Sequence, residues 1–400
     1  MGAQQSSSIA LALAGGGPLG GIYELGALLA LHDAIPQLKL SQLPLYVGVS
    51  AGAVISASLA NGFTIEEMAE RLLNPDNVAH PIHPAIFFKP AWREYGRRVT
   101  SIPGQTLRAV TDYLQAPWEQ SFSESLFRLR RALPAGIFDS RPLEKYLRHS
   151  FGLPGRTNDF RELSARLFVI ASDLDRGESV RFGDEGWQHI SISQAVQASM
   201  SVPGLYTPVD IEGRHFVDGA LYKTVHASAA LDHGADLVLC VNPLVPFNND
   251  FCHLDEAEAM QKSKRLLDGG LVDIVSQSLR ALIHSRSQTG FRQYATEYPD
   301  KDVILFEPDE TDAKMFFSSE FSFKNRLELC AHSYESTLAD LNRRSAYLES
   351  VLAKHGLALN MTAINHPTRS FDYKQYPVGS VSHQLGRLSE ALNQLERLVY

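Results

Sequence analysis

A tight turn between a strand and a helix is the feature that most limits how this chain can fold. The apolar run LYVGVS at 45–50 predicts a buried strand, and the small residues that follow it predict a helix. The two meet within GVSAG at 48–52, so Ser50 stands on the turn itself. Gly48 and Gly52 supply the space that such a turn needs, because neighbouring backbone comes very close there. This context predicts a nucleophile elbow that exposes a serine hydroxyl group beside a helix N-terminus.

Further apolar runs place this turn within an alternation of strands and helices. Each run has the length and composition of a strand buried in a sheet, and helix-like segments lie between the runs. The strand candidates are 8–14, 45–50, 167–174, 213–221 and 235–244. Strands that alternate with helices predict a three-layer α/β/α fold with a mainly parallel central sheet.

The same alternation predicts one main domain over 1–355, with an insertion and a tail. Residues 80–135 are rich in aromatic and basic side chains and break the strand–helix order, so we interpret them as an inserted helical cap or lid. Residues 356–380 are polar and contain prolines, as in a linker. The stretch 381–400 predicts an amphipathic C-terminal helix, because its apolar side chains follow a heptad spacing. These side chains are Val381, Leu385, Leu388, Leu392, Leu395 and Val399.

Charge and cysteine content exclude several classes of protein. The 400 residues carry a formal net charge of −8, which argues against a nucleic-acid-binding protein because such a protein usually has a basic face. Cys240, Cys252 and Cys330 are far apart, so they predict neither a disulfide framework nor a zinc site. No apolar run reaches the roughly 18 residues of a transmembrane helix, and the first residues lack the basic start of a signal peptide. We therefore expect a cytoplasmic protein.

Two segments predict contacts with other molecules. Between residues 89 and 148, basic residues outnumber acidic ones by 11 to 6, which stands out on an acidic chain. Aromatic and basic side chains alternate over 86–131, a mixture typical of peripheral contact with an anionic membrane. The alternative is a solvated cap whose aromatic side chains pack on the main domain. The heptads over 381–399 predict a homodimer, and the alternative is a helix folded back on its own domain.

A glycine-rich loop follows the first predicted strand. In GGGPLG at 15–20, glycines stand at the spacing G-x-G-x-x-G, which suits a phosphate or another anion at a helix N-terminus. A dinucleotide site would need an acidic residue at the end of the second strand, but that strand ends in the GVSAG motif. We therefore predict an oxyanion hole, in which Gly16 and Gly17 donate backbone N–H groups and Gly15 shapes the turn.

A serine nucleophile needs a group that takes its proton, and the sequence offers two kinds. Asp218 lies in FVDGAL, where a strand ends in an Asp-Gly turn, so its carboxylate could reach Ser50 directly. Histidine is the usual base in a Ser-His-Asp site, and His215 and His226 flank that aspartate. The residues alone leave both arrangements open.

Four motifs in this order resemble those of the patatin-like phospholipases. That family has a glycine-rich oxyanion loop, a G-x-S-x-G serine and a later D-G-G/A aspartate, which here are GGGPLG, GVSAG and DGA at 218–220. The stretch QASMSVPGLYTPV at 197–209 is similar to the family's segment before the aspartate. The family usually has Arg or Lys where this chain has Leu19, so a basic side chain is missing from the loop.

The resemblance implies an esterase chemistry and its residues. It implies a phospholipase A or lysophospholipase that cleaves a lipid or other acyl ester with a serine–aspartate dyad, and that needs neither a cofactor nor a metal. The site residues that it implies are Ser50, Asp218, Gly15, Gly16, Gly17, Gly48 and Gly52. The alternatives are a Ser-His-Asp carboxylesterase of the α/β-hydrolase type and a catalytically inactive lipid-binding scaffold.

Overall fold

The structure is a computed structural model that covers most of the predicted main domain. It describes residues 7–74, 86–92, 94, 96, 135–245, 290, 291, 293, 294, 296–309, 312 and 325–371. Of the predicted cap at 80–135, the described residues are 86–92, 94, 96 and 135. The rest of the cap, the end of the linker-like segment, and the predicted helix at 381–400 with its homodimer seam lie outside the described residues.

The described chain contains ten strands and nine α-helices. The strands are β1 (Ile9–Leu13), β2 (Leu45–Val49), β3 (Gly136–Phe138), β4 (Arg166–Asp173), β5 (Glu178–Phe182), β6 (Gly204–Tyr206), β7 (Val209–Ile211), β8 (Arg214–Asp218), β9 (Leu237–Val241) and β10 (Asp302–Phe306). The helices are α1 (Gly17–Ala34), α2 (Ala51–Ala60), α3 (Ile65–Leu73), α4 (Arg141–Phe151), α5 (Ile192–Ser199), α6 (Ala227–Asp232), α7 (Arg326–Arg343), α8 (Ser345–Lys354) and α9 (Met361–Asn365). Each of the five strand candidates from the sequence overlaps one of these strands.

Eight of the described strands form the main sheet. The order is β10-β9-β1-β2-β4-β8-β7, and β5 pairs with β4 beside this path. The five strands from β10 to β4 are parallel, whereas β8, β7 and β5 run antiparallel to their neighbours. Strands β3 and β6 form a separate parallel pair. The predicted mainly parallel sheet is confirmed, with an antiparallel edge that the sequence did not indicate.

Alternate side chains of the central strand β1 point into two different cores. Leu11 and Leu13 belong to the larger core, which the sheet forms with α1–α5, α7 and α8. Ala10 and Ala12 belong to a smaller core formed with α6 and Tyr294. A strand that is covered on both faces has to be apolar along its whole length, as the sequence IALAL is. The predicted three-layer α/β/α arrangement is therefore confirmed.

Helix α1 is buried on almost every side and packs closely against α7. The Ser333 hydroxyl group of α7 donates to the carbonyl oxygen of Tyr23 (2.6 Å). A Cβ on Gly26 would overlap the carbonyl oxygen of Cys330 and lie 2.8 Å from the Cβ of Ser333. Gly26 therefore allows the distance at which the two helices cross.

The described end of the chain returns to the start of the domain. Arg369 forms an ion pair with Asp33 of α1 (2.6 Å), and the ring of Phe371 lies 5.4 Å from that of Tyr334 on α7. These contacts hold the segment after α9 against the main domain. None of the helices within the described ranges is both long and apolar enough to span a bilayer.

Gly26→Ala tests the packing of α1 on α7. The added methyl group has to displace backbone, so overpacking should lower the free energy of unfolding by about 2 kcal/mol, although alanine favours a helix by up to about 1 kcal/mol. Urea denaturation measures this change. Gly96→Ala is the control, because a Cβ there meets no atom within 4 Å, and it should lose no stability. An unchanged midpoint for Gly26→Ala would show that the helices do not pack this closely.

Candidate active site

Ser50 lies on the turn between β2 and α2 in a backbone conformation that is rare for residues other than glycine. Its φ is 51° and its ψ is −121°. The only other non-glycine residue with a positive φ in the described ranges is Glu212. Such a conformation costs on the order of 1–3 kcal/mol and persists only where the surrounding structure holds it. The strain that an elbow requires is therefore present at the predicted serine.

Gly48 and Gly52 allow this turn because backbone passes close to both of them. A Cβ on Gly52 would lie 2.7 Å from the carbonyl carbon of Leu13, and one on Gly48 would lie 2.7 Å from the carbonyl oxygen of Gly52. The N–H of Gly52 also donates to the carbonyl oxygen of Ala14 (3.0 Å). The turn is thereby attached to the end of the neighbouring strand β1.

The backbone of Ser50 is held by a buried serine that the sequence did not single out. The N–H of Ser50 donates to the hydroxyl oxygen of Ser199 (2.8 Å) at the end of α5. That hydroxyl group donates in turn to the carbonyl oxygen of Ile170 on β4 (2.6 Å). The only sign of this role in the sequence is the position of Ser199 within 197–209, the stretch that precedes the aspartate in the family pattern.

Strand register places Asp218 beside Ser50. Val49, which precedes Ser50, pairs with Ile170 of β4. The next residue of β4, Ala171, pairs with Asp218 at the end of β8. The Ser50 hydroxyl group lies near enough to the Asp218 carboxylate to lower the pKa of that acid. The structure thus brings together two predicted residues that are far apart in the chain.

Asp218 is held in place and kept away from water. Its Oδ1 accepts a hydrogen bond from the N–H of Ala220 (2.8 Å). Its carbonyl oxygen accepts one from the Ser172 hydroxyl group, and its N–H donates to the carbonyl oxygen of Ser201. Only 4% of the residue is exposed. Burial raises the pKa of Asp218 to about 6, although the hydrogen bonds from Ser50 and Ala220 lower it. At pH 7 the carboxylate is mostly ionised and is basic enough to take a proton.

The three consecutive glycines lie next to this pair. A Cβ on Gly15 would lie 3.1 Å from the Cβ of Ser50, so the Gly15 backbone packs on the serine. Gly16 is enclosed by Pro243, whose Cγ would lie 2.7 Å from an added Cβ, and Gly17 begins α1 with a φ of +62°. Within the described ranges, the amides of these three glycines donate no hydrogen bond to another residue. Unpaired amides at a helix N-terminus are suited to stabilise an anion.

The two histidines that flank Asp218 in the sequence have other surroundings. His215 is exposed and lies 3.1 Å from Asp175. His226 is buried beside the backbone of Gly219, and burial lowers its pKa to about 3. The structure therefore places a carboxylate near the Ser50 hydroxyl group, and neither of these histidines is among the partners that it gives for Ser50 within the described ranges.

The loop has an apolar side chain where the family usually has a basic one. Leu19 is 5% exposed and packs into the larger core. Across the described part of the chain, no group of three or more His, Cys, Asp or Glu side chains is arranged to hold a metal ion. The groups that lie next to Ser50 are thus a carboxylate, serine hydroxyl groups and backbone amides.

Comparison with known families identifies the class of protein that has this fold and site. The sequence model of the family described as patatin-like phospholipase matches residues 11–231, which is more than half of the chain. The chain therefore belongs to the patatin-like phospholipase family. An uncharacterised NTE family protein of Mycobacterium tuberculosis is 26% identical over 164 residues, and one of Mycobacterium bovis gives the same values. The match covers 38% of this chain and 43% of these relatives, so it spans less than half of their length.

Solved structures with a similar arrangement have low sequence identity to this chain. VipD from Legionella pneumophila has a TM-score of 0.39 at 17% identity, and the match covers 85% of this chain and 67% of that one. Human GIVD cytosolic phospholipase A2, in complex with methyl gamma-linolenyl fluorophosphonate, has a TM-score of 0.31 at 13% identity. That match covers 84% of this chain and 59% of the human one.

Asp218→Asn should stabilise the protein at neutral pH. Burial raises the pKa of Asp218 from 3.8 to about 6, because the folded protein disfavours the ionised carboxylate. The folded protein therefore loses stability as this group ionises, between about pH 4 and about pH 6. Asparagine does not ionise. The gain in the free energy of unfolding should therefore be about 2 kcal/mol larger at pH 7 than at pH 4. Urea titrations at the two pH values measure it. The exposed Asp210→Asn is the control, and an equal gain at both pH values would contradict the buried position of Asp218.

Proposed function

We propose that this protein hydrolyses fatty-acyl esters of lipids, with Ser50 as nucleophile and Asp218 as general base. The observation that carries the proposal is the proximity of the Ser50 hydroxyl group to the buried Asp218 carboxylate, next to three glycines whose amides donate no hydrogen bond within the described ranges. Ester hydrolysis through an acyl-enzyme needs a nucleophile, a proton acceptor and a group that stabilises an oxyanion. This site has a candidate for each, and family membership supports a lipid ester as substrate.

In the proposed reaction, Asp218 takes the proton of Ser50 while the serine oxygen attacks the ester carbonyl carbon. The carbonyl oxygen becomes negative, and the amides of Gly16 and Gly17 at the start of α1 donate hydrogen bonds to it. The leaving alcohol or lysolipid receives the proton from Asp218. Water, deprotonated by Asp218, then attacks the acyl-enzyme and releases the fatty acid, and the proton returns to Ser50.

Two substitutions test the proposed dyad. Ser50→Ala removes the nucleophile and should abolish labelling by a fluorophosphonate and lower kcat on short-chain p-nitrophenyl esters by at least about 10⁴-fold. Asp218→Asn removes the base and should lower kcat by about 10²- to 10⁴-fold. Ser58→Ala is the control, because that hydroxyl group bonds only within its own helix, to the carbonyl oxygen of Val54 (2.7 Å).

The outcomes separate the proposed function from its alternatives. If Asp218→Asn retains activity and a histidine substitution abolishes it, the protein is a Ser-His-Asp esterase. If the folded native protein neither labels nor turns over any ester or phospholipid, it is a lipid-binding scaffold. Either result would overturn the dyad.

The described part of the insertion supports peripheral contact with a lipid surface. Trp92 is 70% exposed, more than any other large apolar side chain in the described ranges. The segment 86–92 that carries it is attached to the domain, because the N–H of Asp139 donates to the carbonyl oxygen of Lys89 (2.8 Å). An exposed tryptophan beside an exposed lysine on a fixed segment suits an anionic membrane surface. We propose such a contact through 86–131.

Trp92→Ser should weaken binding to vesicles that contain phosphatidylglycerol by about tenfold, because complete burial of a large apolar side chain contributes about 1.5–3 kcal/mol. Cosedimentation with vesicles at low and high salt measures the binding. Tyr347→Ser is the matched control, since that ring is also exposed (55%) but lies on α8. Equal binding of the two variants would remove the proposed contact.

A further inference from the structure

Glu24 is a buried acid that the proposed reaction does not use. It lies on α1 and is fully buried, and among the described residues neither of its carboxyl oxygens has a hydrogen-bond partner. No other carboxyl group in the described ranges has both oxygens buried in this way. Burial raises the pKa of Glu24 well above its usual value.

Such a side chain lowers the stability of the protein. A buried polar atom without a partner is unfavourable for folding, and the other buried positions of α1 carry apolar or small side chains, with Tyr23 as the exception. Leucine at position 24 would fill similar space without that cost. A buried group without partners requires an explanation, and function is one that the position of Glu24 supports.

The carboxyl group of Glu24 faces the backbone of Ala14, which is the residue immediately before the glycine loop. Ala14 is held by backbone on two other sides. Its N–H donates to the carbonyl oxygen of Val241 (3.1 Å), and its own carbonyl oxygen accepts from Gly52 (3.0 Å). The N–H of Ala14 therefore already has an acceptor, and its interaction with the Glu24 carboxyl group, which lowers the pKa of that group, is secondary. Glu24 is therefore a third contact of Ala14, besides these two hydrogen bonds.

The same face of α1 also supports the other end of the loop. Gly20 lies one turn before Glu24 on the helix, so the two share a face. The N–H of Gly20 donates to the carbonyl oxygen of Gly16 (3.0 Å). A Cβ on Gly20 would lie 3.1 Å from Pro243, which also encloses Gly16. Glu24 and Gly20 thus lie beneath the two ends of the loop.

We propose that Glu24 is a positioning residue: its carboxyl group, packed against Ala14, holds the Gly15–Gly17 turn where its amides can reach the carbonyl oxygen of a substrate. The inference rests on the proposed function for its effect on catalysis. Displacement of an oxyanion donor by about 1 Å reduces rates by about 10²-fold in enzymes. A small change beneath the loop is therefore measurable as a change in kcat.

The experiment compares Glu24→Leu with Glu24→Gln and with Tyr23→Phe. Leucine removes the polar group, whereas glutamine keeps its shape and polarity without charge. Tyr23→Phe removes a buried hydroxyl group from the adjacent residue, where it faces Thr337 of α7 and not the loop. For each variant, kcat and KM on a p-nitrophenyl ester, the melting temperature, and amide hydrogen exchange of a peptide that spans residues 9–21 are measured.

We expect Glu24→Leu to lower kcat by about 10- to 100-fold with KM within about twofold, to speed amide exchange over 14–17, and to leave the melting temperature equal or higher. Glu24→Gln and Tyr23→Phe should keep kcat within about threefold of the native value. A Glu24→Leu protein with native kcat and native exchange would overturn the proposal. If the native protein hydrolyses no ester, the proposed function fails, and the exchange rates still decide whether Glu24 positions the loop.

Discussion

The close approach of two strand ends is the constraint on which the candidate site depends. Strands β1 and β2 are parallel neighbours, both turn into a helix at the same edge of the sheet, and the N–H of Gly52 bonds to the carbonyl oxygen of Ala14 across the gap. Two turns at this distance leave no room for side chains, because a Cβ added at Gly48 or Gly52 would overlap neighbouring backbone. Gly48, Gly52 and Gly15, which packs on Ser50, are therefore required by the same close approach of backbone. The turn that carries the serine and the start of the glycine loop lie side by side as a result.

Local patterns in the sequence were sufficient to predict five strands of the main sheet and the elbow. A buried parallel strand is a short apolar run, and a strand-to-helix turn around a serine needs glycine at fixed positions. LYVGVSAG therefore predicts both the strand and the turn from its own residues. The proximity of Ser50 and Asp218 is different in kind. It depends on the register of β4 with two other strands, which no local pattern records. The Asp-Gly turn made Asp218 one of two candidate bases, and the family resemblance favoured it.

Other features could not be predicted because they depend on tertiary packing. The antiparallel strands β7 (VDI) and β8 (RHFVD) are short and partly polar, and their composition does not indicate the direction in which they pair. The Ser199 hydroxyl group accepts a hydrogen bond from the N–H of Ser50, but a serine in a helix does not by itself indicate such a contact. A glutamate in a helix usually faces solvent, but α1 is covered on almost every side, which makes Glu24 a core residue.

Three features that lower the stability of the folded protein lie close together. Ser50 has a strained backbone, Asp218 is a carboxylate in a dry environment, and Glu24 is a buried acid without partners, and all three lie around the ends of β1, β2 and β8. The central strands of the main sheet are apolar, and the described helices pack closely on them. Natural proteins commonly depart from these rules at functional sites, where activity is gained at the expense of stability.

The alignment of Ser50 with Asp218 through β4 also determines how the chain tolerates change. Side chains alternate between the two faces of a sheet, so a slip of β8 by one residue along β4 would turn the aspartate to the opposite face. Insertions between the elements do not alter that pairing, because register is set within the sheet and not by the length of the connections. The connections between the strands can therefore differ in length, while a single deletion within β8 would turn Asp218 away from Ser50.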